Sequence, residues 1–242
     1  MSTCPPFLCS GLGAICAAAI LASATSAQET VPLQPKALRN WDLILPAPIS
    51  REVAGGFLVT HSTGERFTAE AEGESLRADL DGDGVLEALV EGETGFLTFS
   101  GISPEGNSIR YSVRLERPAY QPWNYSCGGG MAGELAGTTL LFLDQNLDGD
   151  YDDFGVDALV IGKDHAASFL SRVISVNDAL YSITVARDGS SFRYVPYVGP
   201  TGTLDLLEGF QSKAKLDAAI VVSADGALSY SLARVRGGMK VP

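Results

Sequence analysis

The stretch that most constrains this chain runs from Leu140 to Gly162, LLFLDQNLDGDYDDFGVDALVIG. It reads as an apolar strand, an acidic loop and a second apolar strand. Asp144, Asn146 and Asp148 fall at alternate positions, Gly149 follows, and Asp150, Asp152, Asp153 and Asp157 come after it. Oxygen side chains at positions 1, 3 and 5 of a tight loop, with glycine at position 6 for the sharp turn, suit a hard cation such as Ca²⁺, which takes six to eight oxygens at once. The closing ligand would come from Asp152, Asp153 or Asp157. Apolar segments of four to six residues on either side are strand-length, so the stretch reads as a strand–loop–strand unit rather than a helical EF-hand.

A second acidic loop lies upstream. In Asp79-Leu-Asp-Gly-Asp-Gly-Val-Leu-Glu87, the side chains of Asp79, Asp81, Asp83 and Glu87 occupy positions 1, 3, 5 and 9. Position 12, where an EF-hand places a bidentate Glu, is Val90 here and Gly155 in the other loop. Both loops open directly into Ala-Leu-Val, at Ala88 and at Ala158. The aspartates that begin them are 65 residues apart and the two alanines 70, so the downstream loop holds five extra residues. Two copies are too few for a solenoid or propeller and read as two related strand–loop–strand units.

The first loop resembles the D-x-D-G-D-G-x-x-D loops of FG-GAP and VCBS-type β repeats, with Glu87 in place of the last Asp. The second resembles dockerin-like D-x-N-x-D-G loops, and is similar to loops of uncharacterised secreted bacterial β-rich proteins. Each resemblance covers the loop and not the chain. It implies Ca²⁺ as cofactor, and an exported protein. Mg²⁺ fits less well, because it prefers few carboxylates and keeps its waters.

Charge leads the same way. The net charge is −12. No Lys or Arg occurs from Ala78 to Ile109 or from Pro118 to Gly162, and each of these windows holds seven carboxylates, together about half of the chain's 29. Such acidity repels itself unless a cation or water relieves it, and it argues against nucleic acid or anionic lipid as a partner.

The first 27 residues read as a signal peptide. They carry no charged side chain, have an apolar run from Gly11 to Leu21 too short to span a bilayer, and end in Thr25-Ser26-Ala27, which leaves Gln28 as the expected new amino terminus. Secretion, or a periplasmic or cell-surface location, follows from this, and no later segment is apolar enough for a membrane span. Three of the four cysteines fall in that segment, so Cys127 would be alone in the mature chain.

The rest is short apolar or alternating runs broken by Gly, Asp-Gly and Pro, the pattern of an all-β chain. The expected organisation is two β-rich, sandwich-like lobes at 28–117 and 137–242, joined by a Pro/Gly-rich linker at 118–136. From Ser108 to Glu116, Tyr111, Val113 and Leu115 alternate with polar residues as in a half-buried strand. Arg187-Asp-Gly-Ser and Ala224-Asp-Gly-Ala read as hairpin turns. A short helix is expected at Lys213–Ala219.

Catalytic constellations are weak. His61 and His165 are the only histidines, and both read as solvent-exposed. No G-x-S-x-G elbow or phosphate loop is present. Cys127 is the one candidate nucleophile and reads as a partly buried thiol. Trp123 and Tyr125 offer either a sugar-stacking platform or a seam between β layers. The leading expectation is a non-enzymatic calcium-binding module for structure or interaction, with an extracellular protein or polysaccharide as partner. A carbohydrate-binding module and a secreted hydrolase are the alternatives.

Overall fold

The computed structural model describes residues 28–38, 43–53, 59–102, 106, 108–163 and 165–199, and the backbone of four strands beyond them. The expected signal peptide and most of the expected helix lie outside the described residues. Ala218 and Ala219, at the end of that helix, belong instead to a strand, Ala218–Val222.

The fold is all-β, with no helix among the described residues. Its sheets are antiparallel, and four of them contain four or five strands. One sheet runs in the order 50–52, 124–127, 108–116, 94–102. Beside it in sequence, a second runs 59–60, 66–72, 75–79, 88–90. A third runs 168–169, 158–161, 138–143, 129–135, 34–37, and a fourth runs 29–32, 191–196, 179–185, 173–176. The buried apolar residues form one cluster that includes Phe67, Phe99 and Leu115 together with Phe142, Leu159 and Phe192. Strand Ser108–Glu116 shows the expected alternation, with Ile109, Tyr111, Val113 and Leu115 buried.

The stretch expected as a linker is largely strand. Asn124–Cys127 pairs with both Ser50–Glu52 and Ser108–Glu116, and Gly129–Leu135 pairs with Thr138–Leu143 and Gln34–Ala37. The chain passes from one sheet to the other at Gly128, whose N–H donates to Ser112 O and whose carbonyl accepts from Leu38 N. The three consecutive glycines serve close approach rather than flexibility. A Cβ at Gly128 would lie 2.6 Å from the Val113 carbonyl carbon, one at Gly129 2.6 Å from Lys36 O, and one at Gly130 2.0 Å from Phe142 O. Glycine inside a strand marks such a backbone contact.

Gly130→Ala is therefore expected to lower stability by about 3 kcal/mol, the upper range for overpacking. Urea denaturation checks this: the midpoint should fall with an unchanged slope, and an unmoved midpoint would show that the two strands part without cost.

Candidate metal centre

Both acidic loops cap antiparallel hairpins, and register makes them comparable. Ala78 pairs with Ala88 across the first loop, and Leu143 pairs with Ala158 across the second. Asp79–Glu87 and Asp144–Asp157 are thus the two tips, and Asp157 stands where Glu87 stands, immediately before the returning strand.

The same hydrogen-bond scheme builds both. In the first loop Asp79 Oδ1 accepts from Gly82 N at 2.7 Å and Oδ2 from Gly84 N at 2.8 Å. In the second, Asp144 Oδ1 accepts from Leu147 N at 2.7 Å and Oδ2 from Gly149 N at 2.8 Å. Position 3 accepts from the position-5 amide in both, and position 5 from the amide at position 7. This winding needs left-handed backbone at positions 4 and 6. The first loop supplies Gly82 at φ 80° and Gly84 at φ 85°. The second uses Leu147 at φ 61° and Gly149 at φ 89°. Leucine is strained there, and burial of its side chain, 1% exposed, offsets the cost.

The tips differ in what their carboxylates face. In the first, one ligand atom from each of Asp79, Asp81, Asp83 and Glu87 lies within 4.8 Å of the others, the one such acidic group among the described residues. Asp79 is buried at its base and the other three are exposed. Glu87 Oε1 also accepts from Leu80 N at 2.9 Å, which holds the closing side chain over the loop. This cluster can hold a metal ion.

The second tip is deeper, and its side chains diverge. Asp144, 1% exposed, accepts from Tyr111 Oη at 2.8 Å besides its backbone donors. Burial pushes its carboxyl up to about 6, against the pull of the Tyr111 hydroxyl and the Gly149 amide. Asp150 turns away to Arg187, whose Nη2 and Nε lie 2.5 and 2.8 Å from Oδ2. Asn146 Nδ2 donates to Asp148 Oδ2 at 2.8 Å and to Asp153 Oδ2 at 3.1 Å, while its backbone carbonyl accepts from Arg51 Nη2 at 2.6 Å. Asp152 is half-buried, and its carbonyl accepts from Phe154 N. Asp157 is 1% exposed; Oδ2 accepts from Asp153 N at 3.1 Å, and Oδ1 has no hydrogen-bond partner among the described residues. Burial first, then the charge of Asp144, pushes the Asp157 carboxyl up to about 9. The acidic window thus borrows cations from distant sequence: Arg187 pairs with Asp150, and Arg51 donates to the backbone of Asn146.

Of the remaining candidates, His165 keeps its reading and His61 does not. His61 is buried rather than solvent-exposed: it is 3% exposed and set among Phe67, Tyr111 and Tyr151 with ring centroids 6.3–6.4 Å away. Thr63 N donates to its Nδ1, and burial lowers its pKa against the charges of Asp188, Asp150 and Glu65. It lines a cavity of about 300 Å³ with Thr63, Arg110, Met131 and Asp188. His165 is exposed. Trp123 is 1% and Tyr125 3% exposed, so neither presents a face for stacking. Cys127 is buried, donates to Gly129 O at 3.1 Å, and its thiol is pushed up to about 12, which keeps it protonated at neutral pH. Sequence reasoning missed Tyr111 and Arg187 as partners of the second loop, because nothing local marks a contact across 33 or 37 residues. No family model, curated protein or solved structure matches the chain, so geometry carries the functional reading.

A raised carboxyl makes the folded state bind more protons than the unfolded chain between the two pKa values. For Asp157 that window runs from its ordinary 3.8 to about 9. Its stabilising contribution is full below the unfolded value and is lost as pH rises through the folded one. In chelator, Asp157→Asn is expected to gain on the wild type across this window by up to about 1.4 kcal/mol per pH unit. Urea midpoints at pH 5, 7 and 9 measure the gap, and parallel profiles would show that Asp157 ionises freely in the fold.

Proposed function

We propose that this chain is an exported, calcium-stabilised β module with a structural or interaction role rather than an enzymatic one. The observation that supports it is the convergence of Asp79, Asp81, Asp83 and Glu87 at the tip of a short hairpin, with one oxygen of each within 4.8 Å of the rest. Four carboxylates without a paired cation repel one another. A hard divalent ion of Ca²⁺ size accepts that many oxygens in a flexible arrangement, whereas Mg²⁺ demands near-ideal octahedral geometry and holds its waters. The exposure of three of the four ligands fits an ion exchanged with millimolar calcium outside the cell.

The alternatives find less support. A stacking platform needs an open aromatic face, and Trp123 and Tyr125 are buried. A cysteine hydrolase needs a thiolate, and the Cys127 thiol is held protonated.

Calcium binds the folded tip and not the unfolded chain, so it stabilises by RT ln(1 + [L]/Kd), about 1.4 kcal/mol when free calcium is roughly ten times Kd. Extracellular modules have Kd on the order of 10⁻⁴–10⁻³ M, so several millimolar calcium is expected to raise the melting temperature by a few degrees. Calorimetry in calcium, in magnesium at equal ionic strength, and in chelator separates coordination from screening. Glu87→Gln should remove most of the first loop's share. Three superimposable melting curves would mean that calcium does not stabilise the fold through either tip. Export is checked separately, by mass spectrometry of the mature chain: Gln28 is its expected first residue, and an intact Met1 on a cytoplasmic protein would overturn that part.

A further inference from the structure

We infer that the cavity beside His61 is a binding site for a small zwitterion, an α-amino acid with an apolar side chain, whose carboxylate meets Arg110 and whose ammonium meets Asp188. The site uses no residue of either acidic tip, so it goes beyond the calcium reading and stands apart from it.

Four sheets meet at the cavity. Leu33 comes from the link between strands 29–32 and 34–37, and His61 from the turn after 59–60. Ile109 and Arg110 come from 108–116, Met131 from 129–135, and Asp188 from the turn between 179–185 and 191–196. Backbone contacts fix this frame. Leu33 N donates to Ser190 O at 2.8 Å, and the His61 turn is closed by Gly64 N to His61 O and by His61 N to Glu65 O, both at 2.8 Å. The turn that carries Asp188 is seated on Met131, since a Cβ at Gly189 would lie 2.8 Å from Met131 Cγ. The space is therefore built into the fold, as ligand sites largely are.

The charges that line it lack partners. Arg110 and Asp188 have opposite sign and share one cavity, yet neither forms an ion pair with the other or with any described residue. Asp188 Oδ1 accepts from its own turn, from Ser190 N at 3.0 Å. Two opposite charges held apart across one small space suit a ligand that carries both complements. His61 adds a neutral donor. Burial lowers its pKa, so the ring is uncharged at neutral pH. Its Nδ1 accepts from Thr63 N at 3.3 Å, which leaves the proton on Nε2. That N–H has no acceptor among the described residues and is free to join Arg110 on a carboxylate.

Size and lining narrow the class. The volume, about 300 Å³, lies at the small end of ligand pockets, roughly 300–1,000 Å³. Leu33, Ile109 and Met131 form an apolar wall for a side chain. Among the described residues no Trp, Tyr or Phe lines the space, so a sugar finds no ring face to stack on. An inorganic anion would be repelled by Asp188, and a metal ion by Arg110.

Isothermal titration and ligand-observed NMR of the full chain with L-leucine test this. Leucine should bind. Leucinamide, which lacks the carboxylate, and N-acetyl-leucine, which lacks the ammonium, should each bind at least tenfold more weakly, because each leaves one charged group of the site unpaired. Glycine, with no side chain for the apolar wall, should also bind more weakly. Arg110→Gln should weaken leucine at least tenfold and leave leucinamide unchanged. Asp188→Asn should weaken leucine equally and leave N-acetyl-leucine unchanged, and it keeps an oxygen for Ser190 N, so the turn persists. The derivatives need no variant, so the comparison holds even where a substitution disturbs folding. Both variants should keep the rise in melting temperature with calcium, which separates failure here from failure of the calcium reading. Leucine that does not bind, that binds no better than its two derivatives, or that binds equally well after either substitution overturns the inference. So does glucuronate binding more tightly than leucine.

Discussion

The hydrogen bond from Tyr111 to Asp144 is the contact on which the arrangement around the second tip depends. It brings the middle of one sheet, strand Ser108–Glu116, to the end of strand Thr138–Leu143 in another, across 33 residues. The carboxylate that receives it is buried, and burial of a charge is unfavourable unless donors surround it. Here four groups do so, the hydroxyl and three backbone amides. The amides come from the loop and the hydroxyl from the neighbouring sheet, so winding of the tip and packing of the layers are one event. The ring of Tyr111 also stacks on Phe67, 5.7 Å between centroids, and meets the edge of His61. A polar tip and an aromatic core therefore share one side chain.

The two tips show how one local scheme yields different chemistry when the surroundings change. Backbone amides wind both around a first aspartate. In the shorter tip the remaining carboxylates stay in solvent and converge. In the longer one the insertion folds inward, Asp150 is drawn off to Arg187, and Asp157 is carried under the loop. Depth, rather than the count of acidic residues, separates a low-cost exposed cluster from one in which each unpaired oxygen is expensive.

Much of this was legible in the sequence. Strands Arg66–Glu72, Ser108–Glu116, Thr138–Leu143 and Ala158–Ile161 lie where the apolar patterns put them. The 1-3-5-Gly spacing marked both tips, and the five-residue offset marked their difference. What escaped is of two kinds. Glu29–Pro32, Gln34–Ala37 and Ser50–Glu52 are short, polar edge strands whose pairing comes from distant partners, so no local periodicity announces them. Pro32 and Pro35 are tolerated because an edge leaves one side unpaired. The glycine triplet reads as flexibility from composition alone, while the structure uses it for crowding. His61 is the same lesson in reverse: beside a Ser-Thr-Gly turn it looked exposed, yet three aromatic rings enclose it.

The edge strands also bear on how the chain reaches its native state. Residues 29–32 pair with 191–196, and 34–37 pair with 129–135, so adjacent segments complete two different sheets built from far later sequence. Neither pairing can form during synthesis until most of the chain has emerged. Closing such long loops is entropically slow, and topologies dominated by remote partners fold in milliseconds to seconds rather than microseconds. Until then the outer edges of strands 191–196 and 129–135 stay open, with Tyr194 and Met131 on them and free backbone groups beside them. That interval is when such an edge can recruit a strand from another copy, and the polar, proline-bearing amino-terminal segment ends it by covering both.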